Sequence, residues 1–144
     1  MKQSIQLSKG LTVVSWVTRI VAAVILLQTL FFKFSAHPDS VAIFTAVGQE
    51  PIGRIGSGIV ELIASVMLFV PGLVAVGAAL AVGTMSGAIF FHLTSLGVVV
   101  NDDGGTLFSL AIVVWVCSAV GLWLYRGTLP VIGPKLVGRT GGVS

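Results

Sequence analysis

Apolar residues gather into four long runs, and most polar residues fall between them. The first run covers residues 11–32, broken by Arg19 and a few small polar residues. The second covers 55–70 and holds Glu61. The third runs from 73 to about 100 with no charge and one histidine, His92, and the fourth covers 106–125, also without charge. Pro51 suits the first turn of a helix, which extends the second element outward and places Arg54 at its outer end. The pattern therefore predicts spans of about 11–32, 52–70, 73–97 and 106–125. None of the runs alternates, which excludes a β-barrel, and an isolated segment in lipid must satisfy its backbone as a helix.

Between the first two runs lies the one sizeable polar segment, residues 34–53. Pro38-Asp39-Ser40 is a helix start, Val41, Phe44 and Val47 recur at helical spacing, and Gly48 closes the segment. A short amphipathic helix follows, lying on the outer bilayer face or capping the bundle. The expected fold is all-α: a polytopic four-helix membrane domain over residues 1–126, with an irregular cytoplasmic tail at 127–144.

Composition agrees. Of 144 residues, 56% are hydrophobic and 9% charged, against about 25% charged in soluble domains. Mean hydropathy is +1.07, so polar surface is too scarce to coat a soluble globule. Disorder and a large soluble enzyme are excluded on the same ground, and a disulfide scaffold by the single cysteine, Cys117. The first run is too long, and too poor in cleavage signals near Lys33, for a removed leader. Lys2, Lys9, Arg126, Lys135 and Arg139 share one side with no acid. Positive charge inside then sets both termini in the cytoplasm of an inner membrane. The net charge of +3 is thereby a matter of topology, and no nucleic-acid partner is expected.

Helical spacing gathers Ser8, Thr12, Ser15, Arg19, Leu26 and Lys33 on one face, and Arg54, Ser57, Gly58, Glu61 and Ser65 on another. In the third span, Gly77, Ala81, Thr84, Ala88, His92 and Ser95 are expected to face protein. Val82, Met85, Ile89, Leu93 and Leu96 are expected to face lipid. Gly83 and Gly87 form a further helix-contact pair, as do Cys117 and Gly121. Glu61 lies about 10 Å below the outer end of its span, with His92 at a similar depth. The candidate site is thus an intramembrane polar cluster in the outer half: Glu61 and His92, with Arg19, Lys33 and Arg54 as candidate counter-charges. Two readings of Glu61 stand: a functional site, or a clamp that holds helices in register.

Other chemistry is thin. The glycines at 53, 56 and 58 lack a Walker ending, and no zinc-peptidase motif is present. Asp102-Asp103 reads as a solvated loop, since a metal cage needs more ligands. No catalytic residue and no metal site is assigned.

The chain resembles the DoxX-like family of small four-span membrane proteins. The resemblance rests on Arg19, Leu30-Phe31-Phe32-Lys33-Phe34, Gly48-x-x-Pro51, Gly53-x-x-Gly56-x-Gly58-x-x-Glu61-Leu62, Val70-Pro71-Gly72 and His92, and covers residues 18–125. It implies a membrane four-helix bundle with Glu61 facing inward. It also implies service as an accessory subunit of a membrane redox system linked to quinone, or alternatively as a non-catalytic assembly factor, chaperone or anchor. Relatives that handle thiols carry cysteine pairs, and dithiol exchange needs a second sulfur that Cys117 lacks. Any enzymatic role belongs to a membrane oxidoreductase complex. No resident cofactor is identifiable, a docked quinone suits the residue types, and a membrane-protein partner or a second copy of the chain is expected.

Overall fold

A computed structural model describes residues 7–130. Lys2, Lys135, Arg139 and most of the 127–144 tail, which entered the reading of orientation and domain limits, lie outside the described residues. Among the described residues every regular element is helical.

Helix α1 spans Lys9–Phe34, opened by Ser8, whose hydroxyl accepts the Leu11 N–H at 3.3 Å. At 1.5 Å per residue it is about 39 Å long, more than the ~30 Å of a bilayer's hydrocarbon core. It stops where Ala36 takes a left-handed φ of +52°. Helix α2, Pro38–Ala46, starts with proline in its first turn, and His37 Nδ1 accepts the Asp39 N–H at 3.2 Å. It gives way at Gly48, φ +74°.

Helix α3 covers Ile52–Met67. Pro71-Gly72 then turns the chain, with Gly72 at φ +85°, into α4, Val74–Phe91. Helix α4 runs on into a π-helical turn, His92–Leu96, and ends at Gly97. Helix α5, Thr106–Tyr125, closes the fold with a 3-10 turn at Arg126–Thr128.

The four long helices touch in ring order: α1 packs on α3 and α5, and α4 packs on the same two. Their shared core is built largely of small side chains, including Ala22, Ala23, Ala64, Ala78, Ala81 and Ala111, around Leu26, Leu68 and Val114. Small residues let helix backbones approach closely, which is what association in lipid depends on. Outside, Val13, Val24, Phe31, Val66, Phe90, Leu93 and Trp123 stand exposed. So broad an apolar coat marks a surface that meets lipid rather than water. Three helices are long and apolar enough to cross a membrane: Lys9–Phe34, Val74–Leu96 and Thr106–Thr128. The protein is accordingly a membrane protein by length and composition. Helix α3, at 16 residues, is shorter than these. Its buried residues are Arg54, Gly58, Glu61, Ala64 and Ser65, while Ile55, Ile59, Leu62, Ile63 and Val66 point outward.

Three details of α4 depart from the sequence expectation. Met85, assigned to the lipid side, is 7% exposed and belongs to the core. It sits one turn beyond Ala81 and two beyond Gly77, on the line of residues that the ring buries. Ser95, assigned to the protein side, is exposed. The wider π turn shifts the register of everything after His92, so the straight-helix projection fails there. Gly83 and Gly87, assigned to helix contact, have nothing within 4 Å of where a Cβ would stand. Close approach occurs at two glycines that the spacing had put on protein-facing sides: at Gly77, where that position lies 3.0 Å from the Ala64 carbonyl oxygen, and at Gly58, 2.9 Å from the Phe34 ring.

Candidate functional site

The helices do not fill the end of the ring nearest α2. A cavity of about 490 Å³ lies there, bounded by α1, α3, α4 and α5 and covered by α2. Its size falls within the ~300–1,000 Å³ of ordinary ligand pockets. Most of its wall is apolar, with Leu26, Phe32, Met85, Phe91 and Leu110 among the lining residues. Ile43, Phe44 and Val47 of α2 form its roof. Of the two positions that the sequence allowed for this amphipathic helix, the structure adopts the cap.

Glu61 is the polar centre. It is 1% exposed and lines the cavity. Its Oε1 is ion-paired with Lys33 Nζ. Thr29 divides its single hydroxyl hydrogen between the Leu26 carbonyl at 2.8 Å and Glu61 Oε2 at 3.3 Å. Helix geometry explains the grouping, since Thr29 and Lys33 are one turn apart on the α1 face that meets α3. Lys33 Nζ also lies 5.7 Å from the centroid of the Phe44 ring, which ties the roof helix to the ion pair by a cation–π contact. A carboxylate buried this completely is costly unless paired, and the pair meets that requirement.

His92 stands on another wall, 3% exposed. Its Nδ1 lies 2.9 Å from the Gly97 carbonyl oxygen, and its ring meets the edge of Phe108 at 5.4 Å. A carbonyl can only accept, so Nδ1 carries a proton and donates it to Gly97. Nε2 has no hydrogen-bond partner among the described residues. The π-helical turn makes this arrangement, because its residues wind widely enough to bring the carbonyl five positions on back to the ring.

The other two candidate counter-charges sit elsewhere. Arg19 does not line the cavity: its guanidinium donates to the Leu68 carbonyl at 3.0 Å and lies over the Trp16 ring at 4.0 Å. It therefore satisfies a carbonyl left over at the end of α3, at the opposite end of that helix from Pro51. Arg54 holds both oxygens of Glu50 at 2.9 Å and donates to the Lys33 carbonyl oxygen. It thus binds α3 to the last turn of α1, where a cation is favoured. Of the five candidates, the structure brings Glu61, Lys33 and His92 to one cavity and leaves Arg19 and Arg54 as links between elements.

Sequence reasoning missed Thr29, although it falls between Leu26 and Lys33 on the face already identified. It also missed the hydrogen bond between Ser15 Oγ and Tyr125 Oη, 2.8 Å long, which joins α1 to α5. Asp103, taken as part of a solvated loop, is a structural acceptor. Its carboxylate takes the N–H groups of Leu107 at 3.0 Å, Val100 at 3.1 Å and Gly105 at 2.8 Å. The bond from Leu107 leads in holding its pKa below the ordinary value of 3.8. Among the described residues no three His, Cys, Asp or Glu side chains gather in one place. Compared with family profiles, with curated proteins and with solved structures, the chain matches none.

Proposed function

We propose that the chain is a DoxX-like protein of the inner membrane, with both termini cytoplasmic, and that it serves a quinone-linked redox system as an accessory subunit. In this reading α3 is a fourth span. Support comes from its inverted faces: Arg54 and Glu61 are turned inward, and a ridge of isoleucine, leucine and valine is turned out. Lys33 and Thr29 supply the partners that Glu61 needs at that depth.

One observation carries the functional reading. A largely apolar cavity of ligand size holds, at its polar end, an ammonium donor, a carboxylate and an unpartnered imidazole nitrogen. Such a lining suits a flat, oily molecule with polar oxygens. Lys33 donates to a ligand oxygen, and His92 Nε2 or Glu61 accepts from a ligand hydroxyl. Two electrons from a partner subunit and two protons from water convert the docked quinone to quinol, which carries the electrons away.

The test is binding of a short-tailed ubiquinone to the purified full chain, read as thermal stabilisation. Glu61→Gln and His92→Phe are expected to lose at least about tenfold in affinity, the equivalent of ~1.4 kcal/mol. A chain that is folded and gives no quinone-induced shift at saturating concentration would falsify this reading. The uncovered Gly83–Gly87 face of α4 favours the alternative, a non-catalytic partner that docks a helix of another membrane protein. A stable stoichiometric partner retained in mild detergent, with no quinone response, is the result that reading expects.

A further inference from the structure

We propose that the cavity is filled from the lipid, sideways, through the seam between α3 and α4 at Gly83 and Gly87, with α2 closing the aqueous side. This rests on the reading that the cavity receives a lipid-dissolved ligand.

The seam is unequal along its length. At its inner part α3 and α4 are in backbone contact, where Gly77 meets Ala64 and Leu68. Farther out, Gly83 and Gly87 line the cavity with no atom within 4 Å of a Cβ position, and Gly83 is also exposed on the outside of the ring. Both lie a turn apart on the flank of α4 beside its α3-facing line, so they form one edge of a slot rather than part of the packed core. Ser57 of α3 lines the cavity across from them. A gap of this kind in a lipid-exposed wall lets a flat head or an acyl-like tail pass, which a larger side chain would prevent.

A second observation points to a ligand at the end of this slot. His92 is 3% exposed and lines the same cavity, yet its Nε2 has no partner among the described residues. Nε2 keeps some exposure to the cavity and stands free to meet a ligand, and a ligand hydroxyl arriving through the slot is its partner. The water side is built differently: Ile43, Phe44 and Val47 of α2 cover the opening, and Phe44 is held to Lys33.

The experiment uses the full chain carrying Cys117→Ser and Ala88→Cys, reconstituted in phosphatidylcholine vesicles, because Ala88 lines the cavity. Two maleimides are compared, one long-chained and dissolved in the lipid, the other sulfonated and confined to water. The lipid-dissolved reagent is expected to label and the aqueous one not to. Gly83→Leu with Gly87→Leu, which open space tolerates, is expected to slow lipid-side labelling about tenfold, a barrier of ~1.4 kcal/mol. Gly83→Val alone serves should the double variant fail to insert. Labelling from water at the same rate, or labelling indifferent to these substitutions, overturns the proposal. So does a loss of self-association in the leucine variant with labelling unchanged, which makes the seam a contact for a second copy. Added ubiquinone separates the two readings. Labelling that depends on the seam and is not slowed by ubiquinone keeps the lateral route and removes the quinone.

Discussion

Glu61 and Lys33 show how one residue's cost sets another's position. The carboxylate is 1% exposed and is ion-paired with the ammonium one helix away. Lys33→Met removes the partner and strands the acid, at about 3–5 kcal/mol. Adding Glu61→Gln to Lys33→Met removes the stranded charge as well, and most of that loss is expected to return. Unfolding by detergent titration across the four members of this cycle measures the coupling; an additive result would mean that the pair does not hold the site. The residue types of this cluster were legible in the sequence, because charge inside an apolar run is conspicuous. Its membership was not. Arg19 shares a helical face with Lys33, but the nearly four turns between them are about 21 Å of helix. Face and period give direction around an axis and say little about which neighbour waits at each level, and Arg19 meets the Leu68 carbonyl instead of Glu61.

At the scale of elements, helix ends and glycine contacts decide what can change. Asp103 secures the loop into α5 through the N–H groups of Leu107, Val100 and Gly105. Its folded-state pKa is depressed, so its contribution is present above the unfolded value and fades as pH falls through the folded one. Asp103→Ala is expected to cost about 1 kcal/mol at neutral pH. The variant should also lose part of the wild-type's acid-dependent fall in stability, read as melting temperature from pH 7 down to 3.

The glycines of α4 divide in the same concrete way. Gly77→Ala drives a methyl toward the Ala64 carbonyl and Met67 and should destabilise by about 1–3 kcal/mol. Gly83→Ala enters open space and should stay within about 0.5 kcal/mol of wild type. Both are plain glycine in the sequence, and spacing put Gly77 on the protein side and Gly83 and Gly87 on a second contact surface. Packing bears out the first and leaves the second uncovered, because spacing names a face without naming the neighbour that fills it.

For the molecule as a whole, element existence was readable and element boundaries nearly so. The second run was the exception, because α3 carries two charges in 16 residues and is shorter than the three helices long and apolar enough to cross a membrane. Ile59 offers a direct measurement. It is exposed on the outer face of α3, and Ile59→Lys should cost about 2.5–3.5 kcal/mol of insertion if that face meets lipid. A glycosylation-tag assay of α3 insertion would read it. Unchanged insertion would place α3 outside the hydrocarbon.

The link from Ser15 to Tyr125 joins the first long helix to the last. During synthesis the amino-terminal segments emerge ahead of the rest, so α1 must wait beside α3 until α5 has been made. The closing of the ring is therefore deferred until everything between its two outer stretches of sequence is in place. Because the chain has one tyrosine, the ultraviolet signature of that phenol offers a label-free clock for when the ring closes.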